Sequence, residues 1–545
     1  MTNHRGRLGA GRAVVCAALA AAALTGCQTA APSPAASAHP TTAATCPELA
    51  ARIVDAVQDY VDSFADVPAG EVSGAVSARQ SDFAAATKAL RERGQVLGCD
   101  PSQLADLVRG ELGRLKGGTP VQDAVADTFR ADPLGGVDPS DPGPSQIVVG
   151  SAAQLVTAMA RAGSGATITL NPGTYALATP LVALRPITLV GAGSGTGQEA
   201  TSTITSRAAG ATIIAATSGN LVLRDLAIEH TGAQVASVVV VAGGGYRFEG
   251  IRVAGGVAEK GAGGYGIVLR PSSSPLTPSG DARTLTDVRL ADNDGGGVVI
   301  AGAETPEISR VRVTGSSGCG VCWVEQAGGT ASEVTVEGTT IGVRIDNAAA
   351  PTVTGARVSW ADVGVALTGS GAPRIADAVL TGTTIGVQAT GSGTATLVGN
   401  QVVKAKEIGI RLSGTTRTTL EGNLVSGSTK VGIATVAKAS STITGGRITS
   451  TGDVGLIWGE DATGRASDVV IRGPQLGIQL AASAAADLTG VTADRSKAAA
   501  LLASGKSSGI VTRLACGKGA GAYVVLTDST TVRLVDSPSC TEHRQ

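Results

Sequence analysis

Ile341-Gly342-Val343-Arg344-Ile345 is followed 22 residues later by Val363-Gly364-Val365-Ala366-Leu367, and the same figure returns as Ile408-Gly409-Ile410-Arg411-Leu412. The reference positions are Gly266, Gly297, Gly320, Gly342, Gly364, Gly386, Gly409, Gly432, Gly455, Gly477, Ala499 and Gly521. The first interval is 31 residues and every later one is 22 or 23. A fixed period in the twenties marks a solenoid, in which each repeat buries its apolar side only against its neighbours.

Within each figure the residues one before, one after and three after the glycine are apolar, while the glycine and the residue two after it vary. That alternation has period two and predicts a strand with one buried face. Stacked coils place equivalent residues about 4.8 Å apart, so Val298, Val321, Val343, Val365, Val387, Ile410 and Ile433 should form one internal aliphatic column. A second cadence, Asn400, Asn423 and Gly446, suggests a turn position, because Asn and Gly enter the left-handed backbone region at least cost. A leucine-rich repeat has a similar period, but its Leu-x-x-Leu-x-Leu spacing is absent. The expected class is mostly β: a parallel β-helix.

Composition agrees. Hydrophobic residues make up 43% of the 545, yet aromatics only 2%, and there are 76 glycines. A narrow interior of Ala, Val, Ile and Leu suits these numbers better than a large globular core, which draws on aromatic side chains for its buried area.

Upstream of the repeat the chain changes character three times. Arg5, Arg7 and Arg12 precede the short apolar stretch Ala13 to Leu24, the pattern of a secretory signal, too short for a comfortable membrane span. It ends in Leu24-Thr25-Gly26-Cys27, which resembles the bacterial lipobox. The resemblance implies cleavage before Cys27 and acylation of its thiol, and two or more acyl chains anchor a protein stably where one does not. Residues 1–26 are therefore read as a lipoprotein signal peptide and 27–45, rich in Ala, Pro, Ser and Thr, as a flexible tether. Removing the signal takes three of the 43 basic side chains and none of the 44 acidic ones, leaving a balance of −4. No basic run stands out, which argues against a nucleic-acid partner.

Residues 46–130 read as a small helical domain. Leu49, Ile53, Val57, Val61 and Phe64 share one helical stripe, and a second helix is expected near Ser81 to Arg93. Asp100, Pro101 and Gln103 form a helix start with a capping box, repeated in Thr119-Pro120-Val121-Gln122. Residues 131–145, dense in Asp, Pro, Gly and Ser, form a linker, and 146–540 the repeat body. Of eight cysteines, Cys46 with Cys99 and Cys516 with Cys540 each bracket one local unit and are expected as disulfides, which export permits.

The entry into the body reads Ala166-Thr167-Ile168-Thr169-Leu170-Asn171-Pro172-Gly173-Thr174-Tyr175, then Ile187-Thr188-Leu189-Val190-Gly191, preceded by a helix from Ser151 to Ala162. This strand, turn and strand resemble the first coils of the pectin-lyase-like right-handed β-helix superfamily. The resemblance covers residues 146–535 or so. It implies a right-handed winding with a helix over the first coil, but it points to no one chemistry, since the superfamily includes lyases, hydrolases, epimerases and non-catalytic surface proteins. Tyr523 to Leu526 and Thr531 to Val535 would close the other end, where an open coil would expose strand edges.

The superfamily's calcium-dependent lyases gather carboxylates on adjacent coils with an Arg or Lys as base, and its polygalacturonase-type hydrolases set aspartates beside a Gly-His-Gly. This sequence has no Gly-His-Gly and no Asp-Asp pair. The histidine of the body, His230, follows Glu229 in a strand, which sends the two side chains to opposite faces. Asp292-Asn293-Asp294 is the densest acidic spot of the repeats and follows the long interval, whose extra residues at Pro271–Arg283 suggest a loop walling a groove. Arg270, Asp281, Arg283, Asp292 and Asp294 are therefore the candidate site, weighed against a plain solvated turn, because Asp and Asn favour turns for local hydrogen-bonding reasons. Cys319-Gly320-Val321-Cys322 looks like a metal or redox pair. An extended strand, however, would place the two Cα atoms about 10 Å apart and on opposite faces, too far for a disulfide unless the chain bends at Gly320, and no further ligand completes a zinc site. Trp323 and Trp458 stand three after the glycine and should pack inside, leaving few aromatic platforms for sugars.

These observations lead to a first reading as a monomeric lipoprotein on the outer face of the bacterial cytoplasmic membrane. Its β-helix would be a binding or scaffolding module, at cell-wall or extracellular polysaccharide, with no cofactor or metal. The alternative is a polysaccharide lyase or epimerase using the Asp292 and Asp294 neighbourhood, with calcium as its cofactor.

Overall fold

The computed structural model describes residues 43–66, 72–131, 144–183, 185–195, 200–215, 220–260, 262–271, 282–449, 451–517, 523–527 and 529–545. Cys27, most of the tether, Asp281 and Gly521 lie outside them. From residue 146 onward the chain winds into a parallel β-helix whose three long sheets, named here A, B and C, hold 17, 15 and 16 strands among the described residues. One coil shows the plan: Thr352–Thr354 in sheet A, Arg357–Ser359 in sheet B, Val363–Leu367 in sheet C. The pairings between named strands of successive coils are parallel, as in Val343↔Val365 and Val365↔Val387. The expected aliphatic column, Val298 through Ile433, is buried and continuous.

The recurrent glycine has a different reason from the one its alternation suggests. It lies inside, at the bend from sheet B into sheet C, and the residue before it faces outward and is half-buried at Ile341, Val363, Ile385 and Ile408. A Cβ on Gly320 would stand 2.5 Å from both the Gly342 carbonyl oxygen and Val336 Cγ1, and one on Gly409 would stand 2.5 Å from the Gly432 oxygen. These glycines do not have positive φ. They are required because two walls of the tube meet there with no space for a methyl group. Toward the end the register shifts by one: Ile478 pairs with Leu501, so the coil equivalent of Gly477 is Ala500 and not Ala499.

Of the cadence Asn400, Asn423 and Gly446, Gly446 has positive φ, at 90°, while the left-handed residue of the two asparagine coils lies one place earlier. In the turn from A to B the left-handed residues are Asp377, Gly399 and Gly422, with φ of 53°, 62° and 62°. Asn400 and Asn423 each follow one of them and point inward. Asn400 Nδ2 and the Asn400 amide both donate to Asn423 Oδ1 at 3.0 Å, and Asn423 Nδ2 donates to the Leu397 carbonyl at 2.8 Å. They form a buried ladder that satisfies a corner where backbone groups would otherwise be orphaned.

Ahead of the coils stand helices α1 (Cys46–Asp62), α2 (Val72–Leu97), α3 (Pro101–Glu111) and α4 (Pro120–Ala131), and α5 (Ala152–Arg161) covers the first coil. The start signal at Asp100 forms: the Gln103 amide donates to Asp100 Oδ1 at 3.1 Å. The second helix is longer than its apolar stripe indicates. The end of the expected tether is docked, with Ala43 buried and its carbonyl accepting from Arg93 Nε at 2.8 Å. Disulfides join Cys46 to Cys99 and Cys516 to Cys540, with Cα separations of 5.8 and 5.1 Å.

The helices lie on the outer face of sheet C. Its outward column Val182, Ile214, Val240, Val268, Val299 and Cys322 is apolar and forms one cluster with Leu49, Val61, Phe64 and Val125 of the helical part. The next residue in that column, Arg344, is exposed and ends the covered stretch. Strands such as Ala236–Ala242, buried at every position, lack alternation because they are covered on both faces.

Candidate functional site

The predicted cluster comes apart in three dimensions. Arg270 ends the strand Tyr265–Arg270 of sheet C, and Arg283 opens the strand Arg283–Thr286 of sheet A, so both stand at the corner from C to A. Asp292 and Asp294 lie at the corner from B to C, just before Gly296–Ile300. Because Tyr265 pairs with Gly296 and Leu269 with Ile300, the two groups occupy opposite ends of sheet C. Asp292 is exposed and left-handed at φ 54°. Asp294 Oδ2 accepts from the Ala258 amide at 3.4 Å, and buried Asn293 Oδ1 accepts from the Gly256 amide at 3.0 Å. These are turn-building contacts. Among the described residues no group of three or more His, Cys, Asp or Glu could hold a metal ion.

Arg283 instead meets a residue that sequence reasoning missed. Glu304 is 1% exposed and occupies the inner corner from C to A, where later coils place Ala327 and Ala349. Arg283 Nη1 lies 3.7 Å from Glu304 Oε2, and the Tyr246 hydroxyl donates to the same oxygen at 3.3 Å. Burial raises the Glu304 carboxyl above the ordinary carboxylate value against the opposing pull of Arg283, and burial with the nearby Glu304 raises Tyr246 well above its own. The pair could hold a proton, but it is enclosed within the tube. A charged side chain interrupting a column of small ones was the available signal, and it required the register to be known.

His230 ends the strand Ala227–His230 and is buried, which lowers its pKa. Glu229 faces outward and pairs with Arg252. The two neighbours do not act together.

Cys319 and Cys322 both face outward and form a disulfide with a Cα separation of 6.0 Å. The extended-strand estimate fails because the chain bends inward at Gly320, bringing the residues on either side of it to the same face. The pair lies under the helical part, at the last covered coil.

Trp323 and Trp458 are fully buried, and their indole N–H groups donate to the Gly328 carbonyl at 2.9 Å and to Ser441 Oγ at 3.0 Å. Trp360 is the opposite case. It occupies the left-handed position of the B-to-C corner with φ 58° and is 66% exposed. Nothing in its sequence spacing announced this, since exposure follows from a turn position that the repeat figure does not contain. A small cleft of about 10 Å³ at the C-to-A corner, lined by Asn347, Gly369, Pro373 and Thr416 among others, has room for about one water.

The model of the family described as right handed beta helix region matches residues 236–401, 296–448 and 342–514, together just over half of the chain. No curated protein matches the sequence. Similar solved structures include the catalytic unit of a thermostable GH87 alpha-1,3-glucanase from Streptomyces thermodiastaticus strain HF3-3, at 15% identity over 76% of this chain and 69% of that one, with a TM-score of 0.34. Another is tailspike protein 3 of bacteriophage CBA120, at 13% identity over 78% of this chain and 62% of that one, with a TM-score of 0.33. Scores this low carry no argument about function.

Proposed function

The chain belongs to the right-handed β-helix family, and from that premise we propose that it is a lipid-anchored binding module of the cell surface that holds extracellular polysaccharide along its coils. The observation that carries the reading is the outer face of sheet A. There hydroxyl side chains stack in register, as in Thr286–Ser309–Ser332–Thr354 and Thr396–Thr419–Thr442. Hydroxyls repeated every 4.8 Å or so on a rigid strip suit a polymer that is itself a repeating array of hydroxyl groups. The helical part leaves this face open, because it packs on sheet C.

The anchor rests on Leu24-Thr25-Gly26-Cys27, and the proposed place is the outer face of the cytoplasmic membrane. We read the protein as a monomer needing no cofactor. The alternative, a lyase or epimerase at Asp292 and Asp294, requires carboxylates converging with a base. The separation of those residues from Arg270 and Arg283 across sheet C favours binding.

The test is cosedimentation of the detergent-solubilised full chain with a panel of insoluble neutral and acidic polysaccharides, with released reducing ends and unsaturated products measured in the same tubes. Retention on at least one polymer without product is expected. No retention on any, or product formation, would overturn the reading. Cys27→Ser should move the protein from the membrane fraction into the medium.

A further inference from the structure

We propose that Trp360 is the floor of a glycan subsite on the B-to-C edge and that it receives a neutral hexopyranose unit. The inference rests on the polysaccharide-binding reading and names where and what the protein grips.

Left-handed backbone is costly for a bulky side chain. Along this edge the same position is held by Gly315, Gly338, Gly382, Gly427 and Gly473 and by the polar Asp292, Lys404 and Arg495, all with positive φ, so Trp360 is the bulky apolar side chain among the described residues there. A tryptophan there strains the turn, and its two-thirds exposed indole recovers little burial in return. The ring leans over the next coil: a Cβ on Gly382 would be 3.4 Å from Trp360 Cζ3. Gly338 in the coil before leaves the other side free of any side chain. The indole is therefore a flat apolar step in an open lane one residue wide.

Polar rails flank the lane. On the sheet B side they are Glu337, Ser359 and Thr381, which immediately precede the left-handed residues of three successive coils, and on the sheet C side Thr340, Asp362 and Thr384. Thr340 and Asp362 are exposed, and Glu337 is held by Arg312 at 3.2 Å. A pyranose ring presents C–H bonds of slight positive charge on one face, which suit the negative face of an indole, and a rim of hydroxyls, which suit carboxylates and threonines. Glu337 is neutralised by Arg312, and the exposed Asp362 carboxylate beside the step would disfavour a uronate.

The chain supplies its own reporter. Trp323 and Trp458 are 0% exposed, so acrylamide quenching of tryptophan emission reads Trp360. The experiment titrates the detergent-solubilised full chain with soluble oligosaccharides of glucose, mannose and galactose, and with oligogalacturonate, following emission and quenching. A neutral oligosaccharide should shift the emission and shield it from acrylamide. Trp360→Gly should weaken binding of the same sugar about tenfold or more with no fall in Tm, and Trp360→Phe should weaken it less. Binding of neutral sugars that is equal in Trp360→Gly would overturn the subsite while leaving the polysaccharide reading in place. Preference for oligogalacturonate would overturn the ligand class. Failure of the wild-type chain to bind any glycan, soluble or insoluble, would sink both.

Discussion

Asn423→Ala should be among the most damaging single changes in the body, far beyond what a surface-turn asparagine would cost. Asn423 is 4% exposed and its side chain takes part in three hydrogen bonds: two accepted from Asn400, both at 3.0 Å, and one donated to Leu397 at 2.8 Å. Alanine leaves the Asn400 amide, one Asn400 side-chain proton and the Leu397 carbonyl without those partners. At roughly 1 kcal/mol net per buried hydrogen bond, and more for each donor left unsatisfied, the loss is about 3 kcal/mol. Asn400 is held from the other side as well, donating to the Ile375 carbonyl at 3.0 Å and accepting from the Ala378 amide at 3.0 Å. In an Asn400→Ala background the Asn400 backbone amide still donates to Asn423 Oδ1 and only the bond from Asn400 Nδ2 is gone, so the second change should cost less by about 1 kcal/mol. Because a solenoid senses mainly nearest neighbours, the assay is urea unfolding combined with amide hydrogen exchange read separately for residues 375–425 and for the coils beyond 455. Protection should drop in the first window far more than in the second. A cost under about 0.5 kcal/mol, or strict additivity in the double variant, would refute the view that this corner is a connected ladder.

Three further outcomes follow from the structure. Burial raises the Glu304 carboxyl, so the folded state holds that proton more tightly than the unfolded one. Its favourable contribution is present below the ordinary carboxyl pKa and is lost as pH rises through the raised value; Glu304→Gln should therefore gain Tm relative to wild type as pH rises from about 5 to about 8, and a flat difference would contradict this. Burial lowers the pKa of His230, which makes protonation easier in the unfolded chain. Stability from this group is present above the unfolded value and falls as pH drops below about 6.5, and His230→Leu should show a shallower acid loss in a Tm–pH series. The Cys46–Cys99 bridge closes 53 residues, worth about 4 kcal/mol by loop entropy. Serine at both positions should cost the helical circular dichroism signal at lower urea while leaving the β signal in place, and simultaneous loss of both would show that the coils depend on the helical part.

What the order of residues determined by itself was the winding. A glycine every 22 or 23 residues, followed by aliphatic side chains one and three places on, can be buried only by stacking one coil on the next, and Val343, Val365 and Val387 pair as that cadence requires. Local helix starts were equally legible, because a cap such as Asp100 with Gln103 acts within one turn. The tertiary structure decided everything that depends on where a bend falls. Gly320 turns the strand, so Cys319 and Cys322 meet on one face. The register across coils brings Glu304 under Tyr246 and Arg283 while leaving Asp292 at the far end of sheet C. The left-handed corner leaves Trp360 exposed while two identical side chains are sealed inside. A strand's period is set by its own backbone and can be read one residue after another; a site is set by which coils lie side by side, and that is known only once the chain has closed upon itself.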